Sequence, residues 1–99
     1  MDGLQVLLII DDRGTLEILS DLFAATGARV SAASSGEQGL HCFHVLHPDL
    51  VVMDLKLGDV DGRQLYAQMR SLRDVKVIIL TVLGEEYRSA WGQCLSEAD

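Results

Sequence analysis

Leu4-Gln5-Val6-Leu7-Leu8-Ile9-Ile10-Asp11-Asp12 is the stretch that decides the fold. A nearly continuous apolar run that stops at two aspartates suits a strand covered on both faces, the kind found in parallel sheets. Leu50-Val51-Val52-Met53-Asp54 repeats the pattern: a short apolar, β-branched run that again ends on an aspartate. Arg29 to Ala33 reads as a weaker strand between them, and Val75 to Leu80 as a fourth that ends at Thr81.

Helical signals fill the intervals. Leu16, Leu19, Leu22 and Phe23 recur at helical spacing between Thr15 and Thr26, and Gly27 closes that helix. Ser35-Gly36-Glu37-Gln38 has the form of a capping box opening a helix through Leu46, which His47-Pro48 ends. Asp61 with Gln64 opens a third, whose buried side is marked by Leu65, Met69 and Leu72. Gly84 to Leu95 reads as a fourth, with Tyr87, Ala90, Trp91 and Cys94 on one stripe. Strand and helix alternate four times, which predicts an α/β domain built on a doubly wound parallel sheet with right-handed crossovers.

Composition narrows the function. The chain has 99 residues, read as one domain over 1–99, with 48% hydrophobic residues and 15 acidic against 8 basic, a formal net charge of −7. That balance disfavours a nucleic-acid-binding surface, which needs Lys and Arg against phosphates. No apolar run approaches the roughly 20 residues of a membrane span. Met1-Asp2-Gly3 lacks a basic signal-peptide start, so a cytoplasmic protein is expected. Cys42 and Cys94 have no ligand spacing and read as reduced, buried thiols. His41, His44 and His47 spread over a wide arc of their helix and read as a solvated face.

Ligands of doubly wound sheets bind beyond the carboxyl ends of the strands. The residues there are Asp11, Asp12, Ser34, Asp54 and Thr81. With the first and third strands adjacent, three carboxylates converge, and two like charges about 4 Å apart repel by about 4 kcal/mol at an effective dielectric near 20. A cation or a retained proton relieves that repulsion. Oxygen-only ligands on an open rim favour Mg2+, and a carboxylate beside Mg2+ can attack phosphorus to give an aspartyl phosphate. The plainer reading is that these aspartates cap helices or make turns, as expected of Asp49, Asp59 and Asp61 and open for Asp12.

Taken together, Ile9-Ile10-Asp11-Asp12, Pro48-Asp49-Leu50-Val51-Val52-Met53-Asp54-Leu55-Lys56-Leu57, Asp61-Gly62 and Val77-Ile78-Ile79-Leu80-Thr81 resemble the receiver domain of two-component response regulators. The resemblance implies a flavodoxin-like sheet of strand order 2-1-3-4 and Asp54 as phosphoacceptor. It implies Mg2+ held by Asp11, Asp12, Asp54 and the backbone carbonyl of Lys56, and Thr81 as the switch hydroxyl. The implied partner is a histidine kinase or histidine phosphotransfer protein whose phosphohistidine Asp54 attacks, and autodephosphorylation at Asp54 is implied as well.

The chain departs from that pattern in places. It stops at Ala98-Asp99, before the family's fifth strand with its lysine and aromatic switch residue, so one βα unit is expected to be missing. Lys76 sits at the wrong end of its strand to replace that lysine. A fourth strand left as an apolar edge predicts a homodimer. Gly58 stands where the family has proline, predicting a more flexible loop, and the bulk of Val82 follows Thr81. Arg13 and Lys56 bring positive charge to the acidic site, either weakening Mg2+ or aiding phosphate binding. Two rivals remain: a receiver-like interaction module that works without phosphorylation, and a haloacid-dehalogenase-type phosphatase, whose second motif aspartate is Arg13 here. No GxGxxG follows the first strand, which disfavours a dinucleotide fold.

Overall fold

The computed structural model describes residues 2–80; Thr81, Val82 and the expected helix Gly84–Leu95, with Trp91 and Cys94, lie outside them. Seven elements alternate along the chain: β1 (Gln5–Ile9), α1 (Arg13–Ala25), β2 (Arg29–Ala33), α2 (Gly36–Leu46), β3 (Leu50–Asp54), α3 (Gly62–Leu72) and β4 (Lys76–Leu80). All strand pairs are parallel and the sheet order is β2-β1-β3-β4, as expected. Among the described residues, no helix is long and apolar enough to cross a membrane.

The continuous apolar run of β1 is explained by its two covered faces. Val6, Leu8 and Ile10 point to one side, where Leu16, Leu19 and Phe23 of α1 meet them. Leu7 and Ile9 point to the other, into a cluster with Phe43 of α2 and Leu65 and Met69 of α3. Period-two alternation therefore feeds both layers from Val6 onward, and the one polar residue of the strand, Gln5, sits at its partly exposed start.

Two residues expected on buried stripes are not buried. Leu22 is 59% exposed, because it lies about 120° around α1 from Leu16 while Leu19 and Phe23 stay within about 60°. Leu72 shares the stripe of Leu65 and Met69, but it is the final residue of α3 and is 49% exposed. α1 also begins earlier than its apolar spacing indicates, at Arg13, because Asp12 caps it.

Helix ends follow local chemistry. Gly27, at φ 93°, takes the left-handed position after α1, which suits a residue without a Cβ. His47 does the same after α2 with φ 49° and ψ 61°, a conformation costly for a β-carbon-bearing residue. At the start of α2, Ser35 Oγ accepts from Gln38 N (3.1 Å), while Gln38 Oε1 accepts from Ser34 N (2.9 Å). The reciprocal arm of the box thus reaches one residue further back than expected. Asp61 caps α3 through the Arg63 amide at 2.8 Å rather than that of Gln64, whose N–H bonds the Asp61 carbonyl.

Candidate functional site at the carboxyl edge of the sheet

Strand register sets the site. Ile9 pairs with Met53, so Asp54 closes β3 just as β1 runs out into Ile10, Asp11 and Asp12. On its other side Asp54 pairs with Leu80, and the Leu55 amide donates to the Leu80 carbonyl at 3.1 Å. Asp54 is thereby fixed between two strands at the carboxyl edge, half-buried, while Asp11 and Asp12 are exposed beside it.

Burial pushes the Asp54 carboxyl above the usual carboxylate range, and the charges of Asp11 and Asp12 push it the same way. Backbone amides of Leu55 and Asp11 only partly offset this. The three carboxylates singled out in the sequence are therefore close enough to feel one another. Thr81, the remaining candidate, lies outside the described residues.

Asp12 is also a helix cap. Its Oδ2 accepts from Thr15 N at 2.9 Å and Thr15 Oγ1 at 2.7 Å, and these bonds hold its carboxyl below the usual range. The plainer reading of Asp12 is thus present in the structure, and both bonds engage one oxygen. Among the described residues, no group of three His, Cys, Asp or Glu side chains is gathered closely enough to hold a metal ion by itself. Exposed carboxylate oxygens and backbone carbonyls on an open rim suit instead a hard, largely hydrated cation that takes one or two carboxylates.

The loop after β3 carries Lys56, which pairs with Asp61 in an antiparallel bridge. Gly62 N donates to Leu55 O at 2.7 Å and closes the loop behind it. A Cβ on Gly58 would lie 4.0 Å from Asp11 Oδ2, so the loop runs against the acidic site. Its freedom, expected from the absent proline, is bounded by these ties. Arg13 lines a cavity of about 400 Å³ with Asp11, Ser34 and Gln38, on the β2 side and short of Asp54.

Two residues mattered more than their sequence signal suggested. Gly62 is buried so tightly that a Cβ would fall 2.5 Å from Asp54 O and 2.7 Å from Leu55 O. Asp59 accepts from Gly36 N (2.8 Å) and Glu37 N (3.0 Å), capping α2 from 23 and 22 residues away. The Asp61-Gly62 pair was visible in the sequence, but a partner so distant along the chain leaves no local signal.

A parallel sheet of order 2-1-3-4, with carboxylates crowding the ends of its two central strands, defines a flavodoxin-like domain of receiver type. Residues 6–95 match the response regulator receiver domain, and the chain belongs to that family. It is 36% identical over 82 residues to the probable transcriptional regulator ycf27 of Guillardia theta, covering 82% of this chain and 32% of that protein. It is 34% identical over 87 residues to the regulatory protein AtoC of Escherichia coli, covering 86% of this chain and 19% of that protein. The chain thus spans about a third or less of those two relatives. Among solved structures, a response regulator receiver domain protein from Clostridium thermocellum superposes with a TM-score of 0.81 at 26% identity, covering 96% of this chain and 76% of that one. Response regulator TrrA of Thermotoga maritima, solved in complex with Mg2+-BeF, gives 0.79 at 28% identity, covering 87% and 75%.

Proposed function

We propose that this receiver domain accepts a phosphoryl group on Asp54 from a histidine kinase or histidine phosphotransfer protein, with Mg2+ held by Asp11, Asp12, Asp54 and the backbone carbonyl of Lys56. The observation that carries the reading is the half-buried Asp54 carboxylate, destabilised by burial and by two neighbouring negative charges. Such a carboxylate is poorly solvated, held at the end of a rigid strand, and open toward the rim where ligands of these sheets bind.

In the transfer, an Asp54 carboxylate oxygen attacks phosphorus in line with the phosphohistidine nitrogen. The P–N bond breaks as the P–O bond forms, and the departing imidazole keeps the electron pair and takes up a proton. When bound, Mg2+ would neutralise charge on the transferring phosphoryl group. Asp12, whose Oδ2 is engaged by Thr15, would hold the cation through its remaining oxygen, and Asp11 would act mostly through water. Thr81 is the hydroxyl that follows the phosphoryl group and biases a two-state surface. By likeness to the probable transcriptional regulator ycf27 named above, the signal is read out as control of transcription, in the cytoplasm.

The test is incubation with a small phosphodonor and Mg2+ followed by intact-mass measurement. Wild type should gain one phosphoryl group in a Mg2+-dependent manner, and Asp54→Asn none. No gain on wild type, or equal gain on the variant, refutes the phosphoacceptor assignment and leaves a receiver-fold interaction module.

A further inference from the structure

α2 needs no help to begin. Ser35 caps it locally through Gln38 N at 3.1 Å, and Glu37 stands in its first turn, where a negative charge favours the helix dipole. Yet Asp59, from the loop after β3, takes up the two preceding amides, Gly36 at 2.8 Å and Glu37 at 3.0 Å. What this remote cap adds is a fixed distance between that loop and α2. Steric fit at the same joint points the same way. A Cβ on Gly36 would lie 2.0 Å from Val60 Cγ1 and 3.2 Å from Asp59 Oδ1, so the loop seats on α2 only because residue 36 has no side chain. Val60 in turn rests on the core cluster that contains Phe43 and Leu65.

The fastened segment is short. From Leu55 to Gly62 it is closed by the Gly62 N–Leu55 O bond and the Lys56–Asp61 bridge, and it holds Gly58 near Asp11. Asp59 ties its outer bend to α2 through a pair of hydrogen bonds. We infer that Asp59 is a positioning residue: by latching the loop to the α2 N-terminus it sets the Lys56 carbonyl for Mg2+ and makes the start of α2 sense whether the cation is bound. This rests on the Mg2+ site proposed above. Groups standing behind metal ligands commonly matter in this way, by orienting a donor they do not share with the ion. Linkage makes the effect mutual: if the latched loop binds Mg2+ better, Mg2+ must tighten the latch.

The experiment is calorimetric Mg2+ titration of wild type, Asp59→Asn and Asp59→Ala, with amide hydrogen exchange at Gly36 and Glu37 with and without Mg2+. Asp59→Asn keeps an acceptor for Gly36 but presents N–H groups to Glu37, so affinity should fall in the order wild type, Asn, Ala. The full loss should be about tenfold, the low end for groups behind metal ligands. In wild type, Mg2+ should slow exchange at both amides, and in Asp59→Ala it should not. Gly36→Ala opens the joint from the other side with Asp59 intact and should weaken Mg2+ as well, which keeps the test decisive if Asp59→Ala does not fold. Equal affinity across the variants, or exchange at Gly36 and Glu37 indifferent to Mg2+ in wild type, overturns the latch alone. A wild type that binds no Mg2+ overturns the cation site and the latch with it.

Discussion

Substituting Gly62 by alanine tests how tightly β3 is held at Asp54. The new Cβ would stand 2.5 Å from Asp54 O, 2.7 Å from Leu55 O and 2.8 Å from Leu55 Cα. All three are backbone atoms, so no rotamer change relieves them, and relaxed carbon contacts lie at roughly 3.5–4.0 Å. Something must move by about 1 Å. β3 cannot yield cheaply, because Met53 is paired with Ile9 and Asp54 with Leu80. α3 must withdraw, stretching the Gly62 N–Leu55 O bond of 2.7 Å and straining the Lys56–Asp61 bridge. Overpacking costs about 1–3 kcal/mol and the weakened hydrogen bond about 1 kcal/mol, against about 1 kcal/mol regained from the better helix former. A net loss of about 1–3 kcal/mol lowers Tm by about 4–8 °C for each kcal/mol in a domain of this size. Thermal and urea unfolding of Gly62→Ala should show that loss, beside Gly14→Ala as comparator. There the Cβ meets only Asp12 Oδ2 at an ordinary 3.6 Å, and stability should hold or rise by up to about 1 kcal/mol. A Gly62→Ala protein as stable as wild type would show that the start of α3 and the end of β3 are not in close contact, and the reasoning would fail.

Asp54 sets a pH dependence whose sign is opposite to that of most carboxylates. Its folded-state pKa is raised, so the folded protein binds more protons than the unfolded one between the ordinary carboxylate value and the raised one, and stability falls as pH climbs through that window. In Mg2+-free buffer, Asp54→Asn should therefore melt higher than wild type at neutral pH, and the gap should close in acid below the ordinary value; a gap that widens in acid contradicts the burial argument. His47 holds a left-handed conformation at the end of α2, and His47→Gly should raise stability by about 0.5–1 kcal/mol in urea unfolding. No gain there would mean that the histidine side chain compensates the strain.

Much of the fold was legible because its rules are local. A nearly continuous seven-residue apolar run that stops at two aspartates announces a buried parallel strand, and Gly27 and His47-Pro48 stop their helices for reasons visible within a turn. Burial was harder. Leu22 and Leu72 carry the right residue type, but exposure depends on what lies opposite, and sequence spacing does not say where a helix overhangs its neighbours. The acidic site was legible as a coincidence of two strand ends, since the β1–β3 pairing alone brings Asp11, Asp12 and Asp54 together. The Asp59 cap and the tight seat of Gly62 were not, because their partners are carbonyls and amides, which every residue has and which no pattern of side chains reveals.

Asp12 shows why a cap and a ligand are not exclusive readings of one aspartate. A carboxylate has two oxygens and about four lone-pair positions, and Thr15 claims Oδ2 with both its amide and its hydroxyl. Those bonds stabilise the ionised form, which is also the form a cation requires. They restrict the side chain at the mouth of α1, so less conformational entropy is left to lose when an ion arrives. Capping therefore prepares Asp12 for a cation, while Asp54, raised by burial, is the carboxylate with most to gain from one. Charge at this edge is divided between an aspartate held ionised by its helix and an aspartate made reluctant by its strand, a division that suits the different parts assigned to them in the proposed phosphoryl transfer.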